Sequence, residues 1–209
     1  MFKRQIELIG DNQKKFNNKK IIVVGAGGLG NFVVSELSCI GLKEIFLFDF
    51  DEIEIHNIHR QFNFSKKDRG LKKSEILAKK MERCNTKITP ITQKFKTFNQ
   101  KVDLIIDCSD NFKVRKKISK FAKKNNIPWL YGSVEGFMGQ VCLFKNGNLD
   151  IFNIQNNHKV MGVLPAMVGI IGSIESMIAT KYLAELEVEF DKLYYIDFHK
   201  ELKVMEFKI

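Results

Sequence analysis

Ile21-Ile-Val-Val24 runs straight into Gly25-Ala-Gly-Gly-Leu-Gly30, and this junction constrains the fold more than any other part of the chain. A continuous β-branched run reads as a strand buried on both faces. The helical stretch that follows, Asn31 to Ile40, is stopped by Gly41. Glu44 to Asp49 then reads as a second buried strand. Strand, glycine turn, helix, strand is a βαβ unit, whose parallel strands require a right-handed crossover. In such a turn Gly25, Gly27 and Gly30 allow a tight bend, close approach of backbone to phosphate, and close helix–strand packing. The helix start offers unpaired N–H groups and a positive dipole end to an anion. Many nucleotide-binding chains share this turn, and alone it is weak. Asp49 sharpens it, because it lies 24 residues after Gly25, near the ~20 expected of a carboxylate on a ribose hydroxyl.

The alternation of strands and helices continues. A charged helix is expected from about Lys72 to Arg83, a weak strand at Lys87 to Ile91, and a strong strand at Val102 to Asp107. A basic helix follows from Lys113 to Lys124, then strands at Pro128 to Gly132 and Gly139 to Phe144. Lys145 to Lys159 is Asn-rich and reads as a loop. A long apolar helix is expected from about Leu164 to Leu186, and Tyr194 to Phe198 with Leu202 to Phe207 closes as a hairpin. The fold class is therefore α/β: a Rossmann-like, mainly parallel sheet with helices on both faces and a C-terminal antiparallel extension. Residues 1–209 form one nucleotide-binding domain.

Composition narrows the classes. The 44% apolar and 28% charged residues are those of a globular chain and exclude disorder and collagen-like repeats. Lysine is spread over several helix faces rather than gathered in a reader motif, so the net charge of +10 reads first as solvated surface and then as affinity for an acidic ligand. Nucleic acid comes last. Met1 to Gly10 is too charged for a secretory leader, and Val163 to Ala179 is interrupted by Glu175, short of an uncharged membrane span. No membrane and a cytoplasmic location are expected. Cys39, Cys84, Cys108 and Cys142 form no C-x-x-C pair, so neither a disulfide framework nor a zinc knuckle is expected.

The charged residues near the glycine turn suggest a chemistry. Asp49 and Asp51 are followed by Asn57, Arg60 and Gln61, then by Gly70 and Lys73, while Asp107, Asp110 and Asn111 end another central strand. Open α/β sheets bind ligands at the carboxyl ends of their strands. Arginine and lysine converging with aspartates suit a triphosphate with a divalent metal, since Mg²⁺ takes one or two carboxylates plus phosphate oxygens. That is nucleotidyl-transfer chemistry. His56 and His59 lack the further ligands a metal site needs.

These motifs, in this order, make the sequence resemble the ThiF/MoeB/HesA family, the bacterial relatives of ubiquitin-activating enzymes. The matching pieces are Arg4-Gln-Ile, Gly25 to Gly30, Asp49-Phe-Asp51, Asn57-Ile-His-Arg60-Gln61, Gly70 with Lys73 and Glu75, and Cys108-Ser-Asp110-Asn111. Tyr131-Gly-Ser, Gly139-Gln140-Val, Gly162-Val-Leu-Pro165 and Val168-Gly169 extend the match over nearly the whole chain. The resemblance implies an ATP-dependent adenylyltransferase that activates the C-terminal glycine carboxylate of a small β-grasp sulfur-carrier protein with a Gly-Gly end. It implies that Gly25, Gly27, Gly28 and Gly30 line the nucleotide and that Asp49 holds the ribose, with Asp51 and Gln61 alongside. Arg60 and Lys73 would grip the phosphates beside Asn57, and Asp110 would hold Mg²⁺ next to Asn111. Arg4 would reach the triphosphate of the other protomer in a homodimer.

The sequence departs from larger members of that family. The paired zinc cysteines are missing, so no zinc is expected, and the segment between Phe144 and Gly162 has no cysteine for a covalent link to a carrier. Cys108 and Cys142 read as structural, Trp129 and Tyr131 as core, and Glu175 as an interface or cap contact. Adenylation without a covalent thioester is expected. The carrier could serve thiamine or molybdopterin synthesis, with a lean toward thiamine. The alternatives are a same-fold ATP-dependent enzyme acting on tRNA or a small molecule, an NAD-dependent oxidoreductase, and a nucleotide-binding pseudoenzyme.

Overall fold

The computed structural model describes residues 1–145, 149 and 162–209. Its eight strands, β1 (Lys20–Val24), β2 (Glu44–Phe48), β3 (Lys87–Ile91), β4 (Leu104–Asp107), β5 (Trp129–Glu135), β6 (Met138–Phe144), β7 (Lys192–Asp197) and β8 (Lys203–Lys208), form one sheet. The spatial order is β3-β2-β1-β4-β5-β6-β7-β8. The strands from β3 to β5 are mutually parallel, and β6, β7 and β8 extend the sheet antiparallel. The parallel sheet with its antiparallel extension is as read from the sequence. The chain winds outward from β1 to β3, then returns to β4 on the other side of β1. The topological switch point therefore lies between β1 and β4, which is where such sheets bind ligands.

Side chains alternate across the sheet as the pleat requires. Ile21, Val23, Ile45, Leu47, Leu104, Ile106, Leu130, Val141 and Leu143 face one core layer. Helices α2 (Gly28–Leu37), α3 (Lys73–Lys80) and α5 (Pro165–Leu183) cover that face. Ile22, Val24, Phe46, Phe48, Ile105, Trp129, Cys142 and Phe144 face the other layer, closed by α4 (Phe112–Asn125) through Ile118 and Ala122. Right-handed crossovers dictate this division, because β1→β2→β3 and β4→β5 run in opposite directions across the sheet. Trp129 stacks on Phe144 at 4.6 Å between centroids, so Trp129, Tyr131 and Cys142 are core as expected. Helix α5, at 19 residues, is apolar and long enough to cross a bilayer, yet it packs over the sheet beside α2.

Several elements differ from the sequence reading. The glycine turn is itself helical from Gly28, three residues before the expected start. An N-terminal helix α1 (Lys3–Ile9) and a 3₁₀ stretch Gly10–Asn18 precede β1. Phe2 packs where Gly41 has no side chain, so α1 sits near the amino end of β2. Cys39 and Cys84 form a disulfide with Cα atoms 5.1 Å apart, which corrects the expectation of none. They lie 45 residues apart in sequence. The end of α2 meets the turn after α3 because both helices cover the same face of the sheet, a proximity that spacing does not encode. The expected loop Lys145–Lys159 lies outside the described residues except for Lys145 and Leu149.

Candidate active site

The glycine turn is held in place by Asp49. Its Oδ2 accepts from Ala26 N at 2.6 Å and its Oδ1 from Asp51 N at 2.8 Å. Burial pushes the Asp49 carboxyl up, while these two N–H donors pull it back. Asp49 therefore fastens the turn to the end of β2 before it meets any ligand. Gly25 has φ of 106°, and a Cβ there would stand 2.6 Å from the Cys108 carbonyl oxygen. A Cβ on Gly30 would collide with the Gly25 carbonyl. These two positions let the turn close on itself and on the end of β4.

Gly27 and Gly28 do something different. A Cβ on Gly27 would meet only Gln61 Nε2, at 3.7 Å, whereas one on Gly28 would press on Val168 Cγ1 at 2.9 Å, with the Arg60 Cδ at 3.8 Å. No side chain caps the start of α2, so its first-turn N–H groups are free for an anion. Gln61 Oε1 is buried without a hydrogen-bond partner beside this cradle. Asn57 is buried in the same segment. Asn63 N donates to Asn31 Oδ1 at 3.0 Å, pinning residues 57–64 against α2.

The cations stand around the turn. Lys73 opens α3 almost fully buried; its backbone N donates to Asp51 O at 3.0 Å and its Nζ reaches Asp51 Oδ2 at 3.4 Å. Ser74 Oγ donates to the Asp49 carbonyl at 2.9 Å, tying the same helix start to β2. Arg60 Nη1 meets His59 Nε2 at 2.7 Å, and His56 pairs with Glu54 at 3.2 Å. The two histidines thus have protein partners. Among the described residues no group of three or more His, Cys, Asp or Glu could hold a metal ion.

Across the switch point, Asp107 ends β4 fully buried, and its Oδ1 accepts from Ser109 N and Oγ at 3.0 and 2.6 Å. Asp110 follows, exposed. Asn111 was expected beside the nucleotide, but its Oδ1 accepts from Lys113 N at 2.9 Å and Val114 N at 3.4 Å, capping α4. That oxygen is committed to the helix. Arg4 is not brought to this site in its own chain; its side chain is exposed and pairs with Glu7 at 3.0 Å.

Two residues carry more structure than the sequence reading gave them. Arg115, hidden in a lysine-rich run, threads between the ends of β4 and β5. Glu175, expected at an interface or cap, is 0% exposed, and Gly132 leaves the space its carboxyl fills. Neither Oε atom has a hydrogen-bond partner. Burial, with Asp107 nearby, pushes its carboxyl well above the ordinary 4.5, against the pull of Arg115. A single acid inside an apolar helix, shortly after Gly169 and Gly172, was the available signal. Cys108 and Cys142 are buried, and burial pushes the Cys142 thiol up to about 12. Both are structural, as read.

Comparison with known proteins decides the family. The model of the ThiF family matches residues 2–209. The chain belongs to the ThiF family. This ThiF-family chain is 26% identical over 219 residues to the sulfur carrier protein ThiS adenylyltransferase of Escherichia coli K12, covering 94% of itself and 86% of that protein. It is 32% identical over 202 residues to a probable molybdopterin-synthase adenylyltransferase of Porphyra purpurea, covering 86% of itself but 51% of that protein. At family level, then, the relatives are named as adenylyltransferases. The SUMO-activating enzyme subunit 2 of Dictyostelium discoideum matches at 28% over 149 residues, 68% of this chain and 22% of that protein. Among solved structures, E. coli MccB with ATP superposes with a TM-score of 0.83 at 20% identity over 94% of this chain and 65% of that one. That likeness shows the fold.

Proposed function

We propose that this ThiF-family chain adenylates the C-terminal carboxylate of a small ubiquitin-like sulfur-carrier protein, using ATP and releasing pyrophosphate. The observation that carries the reading is the uncapped helix start at Gly27–Gly28, with Arg60 Cδ 3.8 Å from a Cβ at Gly28, Lys73 buried beside Asp51, and the exposed carboxylate of Asp110 in the loop after the neighbouring strand β4. An anion cradle, two cations and an acid are what a metal-bound nucleoside triphosphate requires.

The chain's residues then divide the work. The α2 N–H groups and Gln61 take phosphate oxygens where Gly27 leaves room. Asp49 has each oxygen engaged by one backbone N–H and retains lone pairs for a ribose hydroxyl. Lys73 exchanges its Asp51 partner for phosphate, and Arg60 turns from His59 toward the same charge. Asp110 is the residue that would hold Mg²⁺, which when bound neutralises the polyphosphate. The carrier carboxylate attacks the α-phosphorus, the bond to the β-phosphate oxygen breaks, and pyrophosphate departs. A carboxylate is already a nucleophile, so the site supplies position and charge neutralisation rather than a general base. The reading extends to a homodimer in which Arg4 serves the partner's triphosphate, and to a cytoplasmic setting.

The test is the product. The chain, ATP and Mg²⁺ incubated with a purified Gly-Gly-ended carrier should give a carrier whose intact mass rises by one adenylyl group, and hydroxylamine should convert that species to the carrier's C-terminal hydroxamate with release of AMP. Carriers from thiamine and molybdopterin synthesis, run side by side, assign the pathway. An unmodified carrier in both arms, with tRNA or a small molecule adenylated instead, would overturn the reading.

A further inference from the structure

We propose that Arg115 is the positioning residue of the candidate metal carboxylate, holding Asp110 in place through the peptide bond that precedes it. The inference rests on the adenylation reading above. The guanidinium grips the carbonyl oxygen of Ser109 with two of its nitrogens, Nη2 at 2.7 Å and Nε at 3.3 Å. That carbonyl belongs to the peptide that leads into Asp110. Nη2 also donates to the Gly132 carbonyl at 3.4 Å, and Nη1 to Ser133 Oγ at 3.2 Å. The plane lies over the Tyr131 ring with 5.1 Å between centres. One side chain from the first turn of α4 therefore ties the loop after β4 to β5.

Asp110 sits between two fixed points. On its N-terminal side is the Ser109 carbonyl held by Arg115, and on its C-terminal side is Asn111, held by its cap of α4. Asp110 is itself exposed, so an otherwise free carboxylate is aimed by its neighbours rather than by contacts of its own. The planar fork of arginine can serve several acceptors at once, whereas a lysine ammonium offers a point charge. The charge is wanted as well, because Asp107 and Glu175 are buried within electrostatic range of the guanidinium. Arg115→Lys keeps that charge and removes the fork, which separates the two contributions.

The experiment measures ATP affinity by calorimetry with EDTA and with saturating Mg²⁺, and Mn²⁺ binding to the ATP complex by electron paramagnetic resonance. The proteins are wild type, Asp110→Asn, Arg115→Lys, the double variant, and Ser133→Ala as a milder release of the same fork. Arg115→Lys should leave metal-free ATP affinity within twofold of wild type and weaken Mn²⁺ binding about tenfold, as Asp110→Asn does. The double variant should be no worse than Asp110→Asn alone, since the two act in series. Ser133→Ala should shift Mn²⁺ binding in the same direction by a smaller factor, and it keeps the test open if Arg115→Lys folds poorly. Equal losses of metal-free and metal-bound affinity in Arg115→Lys, or additive losses in the double variant, would overturn this inference alone. Unchanged metal binding in Asp110→Asn would overturn the metal assignment in the adenylation reading, and the inference with it.

Discussion

Gly27 and Gly30 are neighbours in one turn with opposite requirements. Gly30→Ala places a methyl group against the Gly25 carbonyl and should prevent the turn from closing, seen as loss of the cooperative thermal transition. Gly27→Ala meets only Gln61 Nε2, so its melting temperature should move little. ATP affinity should fall by about tenfold or more because the methyl occupies the phosphate approach. Calorimetric titration beside a melting curve checks both. Glu175 carries a third prediction. Burial, with Asp107 beside it, raises its carboxyl in the fold well above the ordinary 4.5 that it regains on unfolding, against the pull of Arg115. Above 4.5, for as long as the raised carboxyl of the fold holds its proton, the folded state binds more protons, so stability falls as pH rises, by about 1.4 kcal/mol per unit for one proton. Glu175→Gln removes that slope. Urea unfolding from pH 5 to 8 should show the variant gaining on wild type as pH rises; parallel profiles would mean Glu175 is ionised in the fold.

At the scale of elements, what was legible followed from periodicity and punctuation. The runs Ile21–Val24 and Glu44–Asp49 read as buried strands and Val102–Asp107 as a strong one, and the strands Lys20–Val24, Glu44–Phe48 and Leu104–Asp107 answer to them, buried almost throughout. The hairpin β7–β8 was legible from alternation and a turn around Lys200. Helix α1 was missed because seven residues with no buried face carry little signal. Arg115 was missed because a helix rich in lysine reads as solvated surface, and nothing in a one-dimensional pattern marks the residue that turns inward. The Cys39–Cys84 bridge was missed because it depends on two crossovers covering the same face of the sheet. It joins the ends of α2 and α3, whose opposite ends carry the glycine turn and Lys73. Closing a loop across 45 residues should stabilise the fold by about 2–4 kcal/mol. Dithiothreitol, or Cys39→Ser with Cys84→Ser, should lower the melting temperature by roughly 5–15 °C; an unchanged temperature would show that the bridge contributes nothing to stability.

For the whole molecule, the site is assembled from parts far apart in sequence: the turn after β1, the acids after β2, the start of α3 and the loop after β4. Family membership supplies the expectation of adenylyl transfer, and the switch-point geometry supplies residues able to bind a metal-bound triphosphate. Arg4 remains exposed in its own chain, so its assigned role needs a second copy. If a homodimer forms, mixing Arg4→Ala with Asp110→Asn should recover activity that neither variant has alone, because each mixed dimer holds one complete site. The most direct measurement is ATP–pyrophosphate exchange with Mg²⁺ and a Gly-Gly-ended carrier, comparing wild type with Asp110→Asn and Arg60→Ala. Exchange that requires the carrier and drops at least a hundredfold in both variants is the expected result. Measurable ATP binding without carrier-dependent exchange would contradict adenylation and leave a nucleotide-binding protein in its place.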